Sequence, residues 1–121
     1  MSGPKRVQMT RQRPWRAEHP DAVIVARPSR WGNPFKVGST NWIPVDEHGR
    51  WSKDPHPPLT REQAVECFRL CAVFDAEQTP GFLAELAGHD LACWCKPGDP
   101  CHADVLLDLA NGPRQIGRAH V

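Results

Sequence analysis

No apolar run in this chain of 121 residues approaches the roughly 20 residues that a membrane span requires. Its Lys/Arg-rich start has no apolar stretch behind it, so it lacks the pattern of a secretory signal peptide. Internal repeats are absent, and the only compositional bias is toward proline, with 13. Neither the glycine-rich fingerprint of dinucleotide-binding folds nor a Cys-x2-Cys zinc knuckle occurs. These absences exclude a spanning protein, a solenoid and a nicotinamide-dependent oxidoreductase of the usual kind. They leave a cytoplasmic protein as the expectation. Five cysteines cannot all pair, and in a reducing compartment clustered thiols serve metals or catalysis, so no structural disulfide is expected.

The length suits one domain with a single core. An ordered part over about residues 20–111 is expected, with 112–121 as a flexible tail. The net charge of +1 conceals an asymmetry. Residues 1–36 hold eight Lys/Arg against Glu18 and Asp21, about +6, whereas the remainder holds seven against twelve Asp/Glu, about −5. A basic first third on an otherwise acidic chain suits an anionic partner, a small phosphorylated molecule or a nucleic acid. A solvated, frayed terminus would look the same.

Along the chain, Lys5 to Thr10 alternates weakly as a strand would, and Arg11 to Pro20 reads as a loop. The apolar run Ala22 to Ala26 predicts a central strand covered on both faces. Trp42 to Trp51, with turn residues at 46–49, predicts a small hairpin outside the core sheet. Thr60 and Gln63 form a capping-box pattern before a helix over 61 to about 76. Thr79-Pro80 followed by Phe82, Leu83 and Leu86 predicts a short second helix that stops at Gly88. A strand over 90–95 and a helix over 100–110 complete the set. The order is that of an α/β domain with a short, mainly parallel sheet, Rossmann-like and of two or three layers.

Three of the five cysteines and one histidine fall within ten residues, Cys93, Cys95, Cys101 and His102. On a strand, Cys93 and Cys95 leave one face and Trp94 the other. Asp99 is the expected N-cap and Pro100 the first helical residue, so Cys101 and His102 open the last helix. Four soft donors in this pattern suit zinc, although adjacent helical residues point about 100° apart. Alternatively, Cys101 at a helix N-terminus is a thiolate nucleophile with His102 beside it as base. In a third reading the cysteines simply fill the core. Cys67 and Cys71, at i, i+4 on the capped helix, read as packing, and Asp104 and Asp108 as a solvated helix face.

The segment Arg27-Pro-Ser-Arg-Trp-Gly-Asn-Pro-Phe35 leaves the apolar strand carrying groups suited to an anion. Arg27, Ser29, Arg30 and Asn33 can hydrogen-bond phosphate oxygens, and Trp31 offers a flat surface to a base. If the strands ending near 26 and 95 are parallel, this loop and the Cys/His corner meet at the carboxyl edge of one sheet, where open α/β sheets bind ligands.

The segment 27–35 and the segment Leu-Ala-Cys-Trp-Cys…Pro-Cys-His-Ala-Asp-Val-Leu at 91–106 resemble the two signatures of the domain of unknown function family 4326, found in bacteria and their phages. The resemblance covers roughly residues 20–111 and implies no established activity. The Cys-His opening of a helix after a cysteine-bearing strand is also similar to another uncharacterised bacterial family, number 488, which implies an α/β fold. From the residues themselves the expectation is a small hydrolase or transferase acting on a nucleotide-like or phosphorylated substrate. The alternative is a zinc-stabilised module that binds nucleic acid without catalysis.

Overall fold

A computed structural model describes residues 3–27, 29–40 and 42–112. The expected tail from 113 onward lies outside the described residues. Three parallel strands, β1 (Arg6–Gln8), β2 (Val23–Ile24) and β5 (Leu91–Cys93), form a sheet in the order β1-β5-β2. The ladder runs past the strand ends, Met9 N–H donating to Cys93 O at 2.7 Å and Val25 N–H to Ala92 O at 2.9 Å. Strand β5, rather than the 22–26 run, is therefore the centre of this sheet. Its Leu91, Ala92 and Cys93 are buried, paired on both edges and free of charged groups, which suits a strand covered on both faces. Strand β1 belongs to the same sheet and places Val7 and Met9 in the core, so the core draws on residues before position 20.

Between β2 and β5 lie the hairpin, β3 (Ile43–Pro44) with β4 (Trp51–Ser52), and helix α2 (Arg61–Gln78). The capping box at its start is complete: Gln63 N–H donates to Thr60 Oγ1 at 3.1 Å, and Thr60 N–H donates to Gln63 Oε1 at 2.9 Å. Ala64, Cys67, Phe68 and Ala72, at helical spacing, form its buried face. The helix packs on β3 and on helix α3 (His102–Asn111), which in turn covers β5 and β1. A single turn, α1 (Trp15–Glu18), interrupts what the sequence suggests is loop.

Two further expectations need correction. The segment 79–88 is not a helix but a succession of turns, with Phe82, Ala84 and Leu86 each donating to the carbonyl three residues earlier. Gly81, at φ 85°, takes a left-handed conformation that ends any helix begun at Pro80. Leu86 is nevertheless fully buried. The N-cap of α3 is Cys101, not Asp99. Asp99 N–H closes a turn onto Lys96 O, and Cys101 itself is extended (φ −150°, ψ 140°), so the helix begins at His102. No helix among the described residues is long and apolar enough to cross a membrane.

Candidate functional site

The carboxyl ends of the three parallel strands share one edge, and the chain leaves each of them into a loop. Between the loops after β2 and β5 lies a cleft of about 830 Å³. Its walls include Ala26, Arg27, Asn33 and Phe35 from the first loop, and Cys93, Cys95, Asp99, Cys101 and His102 from the second. The two sequence motifs thus meet as the parallel arrangement requires. Lys36, Lys96 and, from the first turn of α2, Arg61 also line it. Four cationic side chains face one acidic residue, Asp99, among the lining groups, so the charged lining is net positive.

Cys93, Cys95 and Cys101 hold their sulfurs within 4.8 Å of one another. Three features of the chain bring this about. Cys93 ends the central strand; Cys95 follows two residues on with Trp94 turned out to 50% exposure; and the turn at 96–99 returns the chain so that Cys101 caps α3 beside them. Because Cys101 lies before the helix, the angular conflict expected of adjacent helical residues does not arise. Cys93 Sγ and Cys101 Sγ are 3.1 Å apart, and these two cysteines are 1% and 2% exposed. A zinc ion bound tetrahedrally at about 2.3 Å would set its sulfurs about 3.8 Å apart. The three therefore fit around a metal after a sub-ångström spread of the closest pair.

His102 is not the fourth member of this group. It is buried, its ring set edge-on to Phe68 with centroids 5.1 Å apart. Nε2 lies 2.7 Å from Val25 O and donates to it, and Nδ1 lies 3.9 Å from Cys101 Sγ. The imidazole thus links the end of β2 to the capping cysteine and orients that sulfur.

Electrostatics divides the three thiols. The Cys93 thiol donating to Cys101 holds Cys101 well below the usual thiol range against the opposing effect of burial, with His102 and Cys95 adding to the shift. The same hydrogen bond, with burial, pushes Cys93 up, and burial pushes Cys95 up. Negative charge in the group therefore concentrates on Cys101.

Arg6 supports this arrangement from β1. Its guanidinium donates to Asp99 O at 2.9 Å and Lys96 O at 3.0 Å and pairs with Asp104 at 3.2 Å, fixing the turn that returns Cys101. Burial opposes its charge, but Asp104 and the Cys101 and Cys93 sulfurs outweigh that and raise its pKa. Asp104 is thus an ion-pair partner rather than part of a merely solvated face.

The first loop differs from its expected role. Trp31 is 6% exposed and packs edge-on to Phe82 in the core, so it offers no face to a base. Arg30 pairs with Glu85 and stacks over Trp31, outside the cleft lining. Ser29 Oγ accepts from Trp31 N–H at 3.3 Å, shaping the turn. Asn33 lines the cleft, but its amide is engaged at both ends, donating to Ala64 O at 3.2 Å and accepting from Phe35 N–H at 2.8 Å. Among the described residues, Arg27 is the expected anion-binding cation that lines the cleft. Lys36, Arg61, Lys96 and Arg6 were not singled out from sequence. Only the charge excess of residues 1–36 hinted at two of them, and Arg61 and Lys96 come from elements that fold against that segment.

No curated protein and no solved structure matches the chain. A model of the family described as Domain of unknown function (DUF4326) matches residues 7–112, spanning β1, the first loop, the cysteine corner and α3, and the chain belongs to that family.

Proposed function

We propose that the cleft is the active site of a small enzyme, a hydrolase or transferase, whose substrate is nucleotide-like or otherwise phosphorylated. One observation carries this reading: a single cleft sets Arg27, Lys36, Arg61 and Lys96 around a wall containing three clustered cysteines. Cations converging on a concave site suit phosphate oxygens, and Phe35 adds an apolar surface beside them. The parallel β1-β5-β2 order, with ligand groups at the carboxyl edge, supports a Rossmann-like reading of the fold. Free thiols in such number suit a reducing cytoplasm.

The donor set suits zinc, held by Cys93, Cys95 and Cys101. Three protein ligands are the number used by catalytic rather than structural zinc sites, which favours the enzyme over a zinc-stabilised binding module. A zinc ion with an open position supplies a water ionised near neutral pH or a Lewis acid for the substrate. Around it the chain's own residues divide the work. The four cations bind and orient the anion, His102 holds the Cys101 sulfur in place, and Arg6 offsets the charge of the thiolates and fixes the turn that carries Lys96.

A second reading has Cys101 itself as the nucleophile, with His102 as its partner. The concentration of charge on Cys101 and the 3.9 Å approach of His102 Nδ1 favour it.

Elemental analysis of protein purified without chelators, with calorimetric titration of a nucleoside monophosphate, tests both. The expected result is one zinc per chain, lost in Cys93→Ser and Cys95→Ser, and nucleotide binding weakened about tenfold or more by Arg61→Ala, the cost of about 1.4 kcal/mol that losing one charged contact carries. Wild type free of zinc overturns the metal assignment and leaves Cys101. A cleft that binds no phosphorylated compound, with Arg61→Ala indistinguishable from wild type, overturns the active-site reading.

A further inference from the structure

Trp94 is the one residue shared by the main cleft and a second, shallower groove of about 350 Å³. That groove is formed by the chain leaving β1: Gln8, Met9, Thr10, Arg11 and Gln12. Because Met9 N–H pairs with Cys93 O, this segment runs alongside the end of β5, and the groove opens at the same sheet edge as the cleft. The indole is 50% exposed, and the Arg11 guanidinium carbon lies 5.6 Å from its ring centroid.

From this juxtaposition we propose that the substrate is a single-stranded nucleic acid rather than a free mononucleotide, with one base stacked on Trp94 and the adjoining backbone carried past it onto Arg11. The inference rests on the reading of the cleft as a phosphate-binding active site and adds a second nucleotide position to it.

The cleft then offers Arg27, Lys36, Arg61 and Lys96 and the second groove Arg11, with Trp94 lining both. A strand with a phosphate at every nucleotide uses both sets, whereas a mononucleotide uses only the first. Stacking a base on an exposed aromatic ring is worth more than an exposed cation over the same ring. The base therefore displaces Arg11 from the ring face, and the freed guanidinium turns to a phosphate. A duplex cannot supply this contact, because its bases are already stacked on one another. Arg11 is the cation of the 8–12 stretch that forms this second groove, and Lys5, Arg6, Arg13 and Arg16 lie close to it in sequence.

The test is fluorescence anisotropy with fluorescein-labelled single-stranded hexanucleotides of mixed sequence, one DNA and one RNA, at several salt concentrations. Unlabelled nucleoside monophosphate and a duplex of the same sequence serve as competitors. Expected are a hexanucleotide of at least one sugar type bound tenfold or more tighter than the monophosphate, and a duplex that competes poorly. Trp94→Ala weakens hexanucleotide binding about 5- to 150-fold, the conversion of about 1–3 kcal/mol of lost stacking, and Trp94→Phe restores most of it. Arg11→Ala lowers the salt slope by about one and leaves monophosphate binding unchanged. Hexanucleotide and monophosphate bound equally, or Trp94→Ala and Arg11→Ala matching wild type while Arg61→Ala weakens both ligands, overturns the inference and spares the active-site reading. Equal competition by duplex also overturns it. If neither ligand binds and Arg61→Ala changes nothing, the active-site reading falls first.

Discussion

The loops that follow β2 and β5 leave neighbouring parallel strands at one sheet edge, yet they use their polar groups in opposite ways. In the loop from Arg27 to Phe35, Ser29 closes a turn, Asn33 ties the chain to α2, Arg30 pairs with Glu85 and Trp31 is sunk in the core. Its hydrogen-bonding capacity is committed to its own shape, and that rigid shape presents Arg27 to the cleft. In the loop from Trp94 to Cys101 the architecture is imposed from outside, by Arg6 reaching over from β1. Its own Cys95, Lys96 and Trp94 line the cleft, with the buried Cys101 in the wall behind them. A motif dense in polar and aromatic residues thus marks a framework in one case and a wall of the cleft in the other. Whether the donors already have partners decides which.

The largest expected effect that can break this contrast comes from the two tryptophans. Trp31→Ala removes a buried aromatic from the main core and should cost about 3–5 kcal/mol in urea denaturation. Trp94→Ala removes a half-exposed ring and should stay within about 0.5 kcal/mol of wild type. Similar stabilities for the two variants would show that the first loop is no more structural than the second.

A smaller effect is expected at Gly32. A Cβ there would sit 2.7 Å from Arg27 Cγ and 2.9 Å from Arg27 Cα and N, so backbone as well as side chain must move. Gly32→Ala should destabilise the fold by about 1–3 kcal/mol, as overpacking does, and displace Arg27 from the cleft. Arg27→Ala, by contrast, should weaken nucleoside monophosphate binding with stability unchanged. If Gly32→Ala binds the nucleotide as wild type does, the first loop does not act through its shape.

The parts legible in the sequence were those set by local rules or by topology. Thr60 and Gln63 announce the start of α2 because a capping box needs only residues three apart. The two motifs could be brought together because an intervening helix makes successive strands parallel. What escaped depends on tertiary partners. Arg6 reads as part of a charged terminus until β1 pairs with β5 and sets it over the returning turn. Asp99 reads as an N-cap because Asp-Pro is a strong local signal, but its amide closes a turn onto Lys96 and the cap passes to Cys101. The 79–88 segment has helical apolar spacing, and only the left-handed conformation of Gly81 shows that its apolar residues are buried from successive turns instead. Trp31 and Trp94 are indistinguishable by type; only the side of the chain that meets the core separates them.

The smallest expected effect carries the same criterion to the cysteines. Among the described residues, Cys67 and Cys71 on α2 belong to no cluster of metal-ligating groups, and burial is the first cause of the rise in both their pKa values, with Cys71 pushed up from 9.0 to about 11. At the corner, hydrogen bonding from Cys93 drives Cys101 the other way in spite of burial. For Cys71, folded and unfolded chains both hold a neutral thiol below about pH 9, so its contribution to stability is constant there. Between about pH 9 and pH 11 the unfolded chain ionises and the folded one does not, so stability falls as pH rises. Cys71→Ala should lower stability at neutral pH through lost packing and flatten the decline between pH 9 and 11, measured by urea unfolding at fixed pH steps against wild type. An unchanged slope would mean that the Cys71 thiol ionises in the folded protein as it does in water, and that the helix cysteines are not set apart from the corner by burial alone.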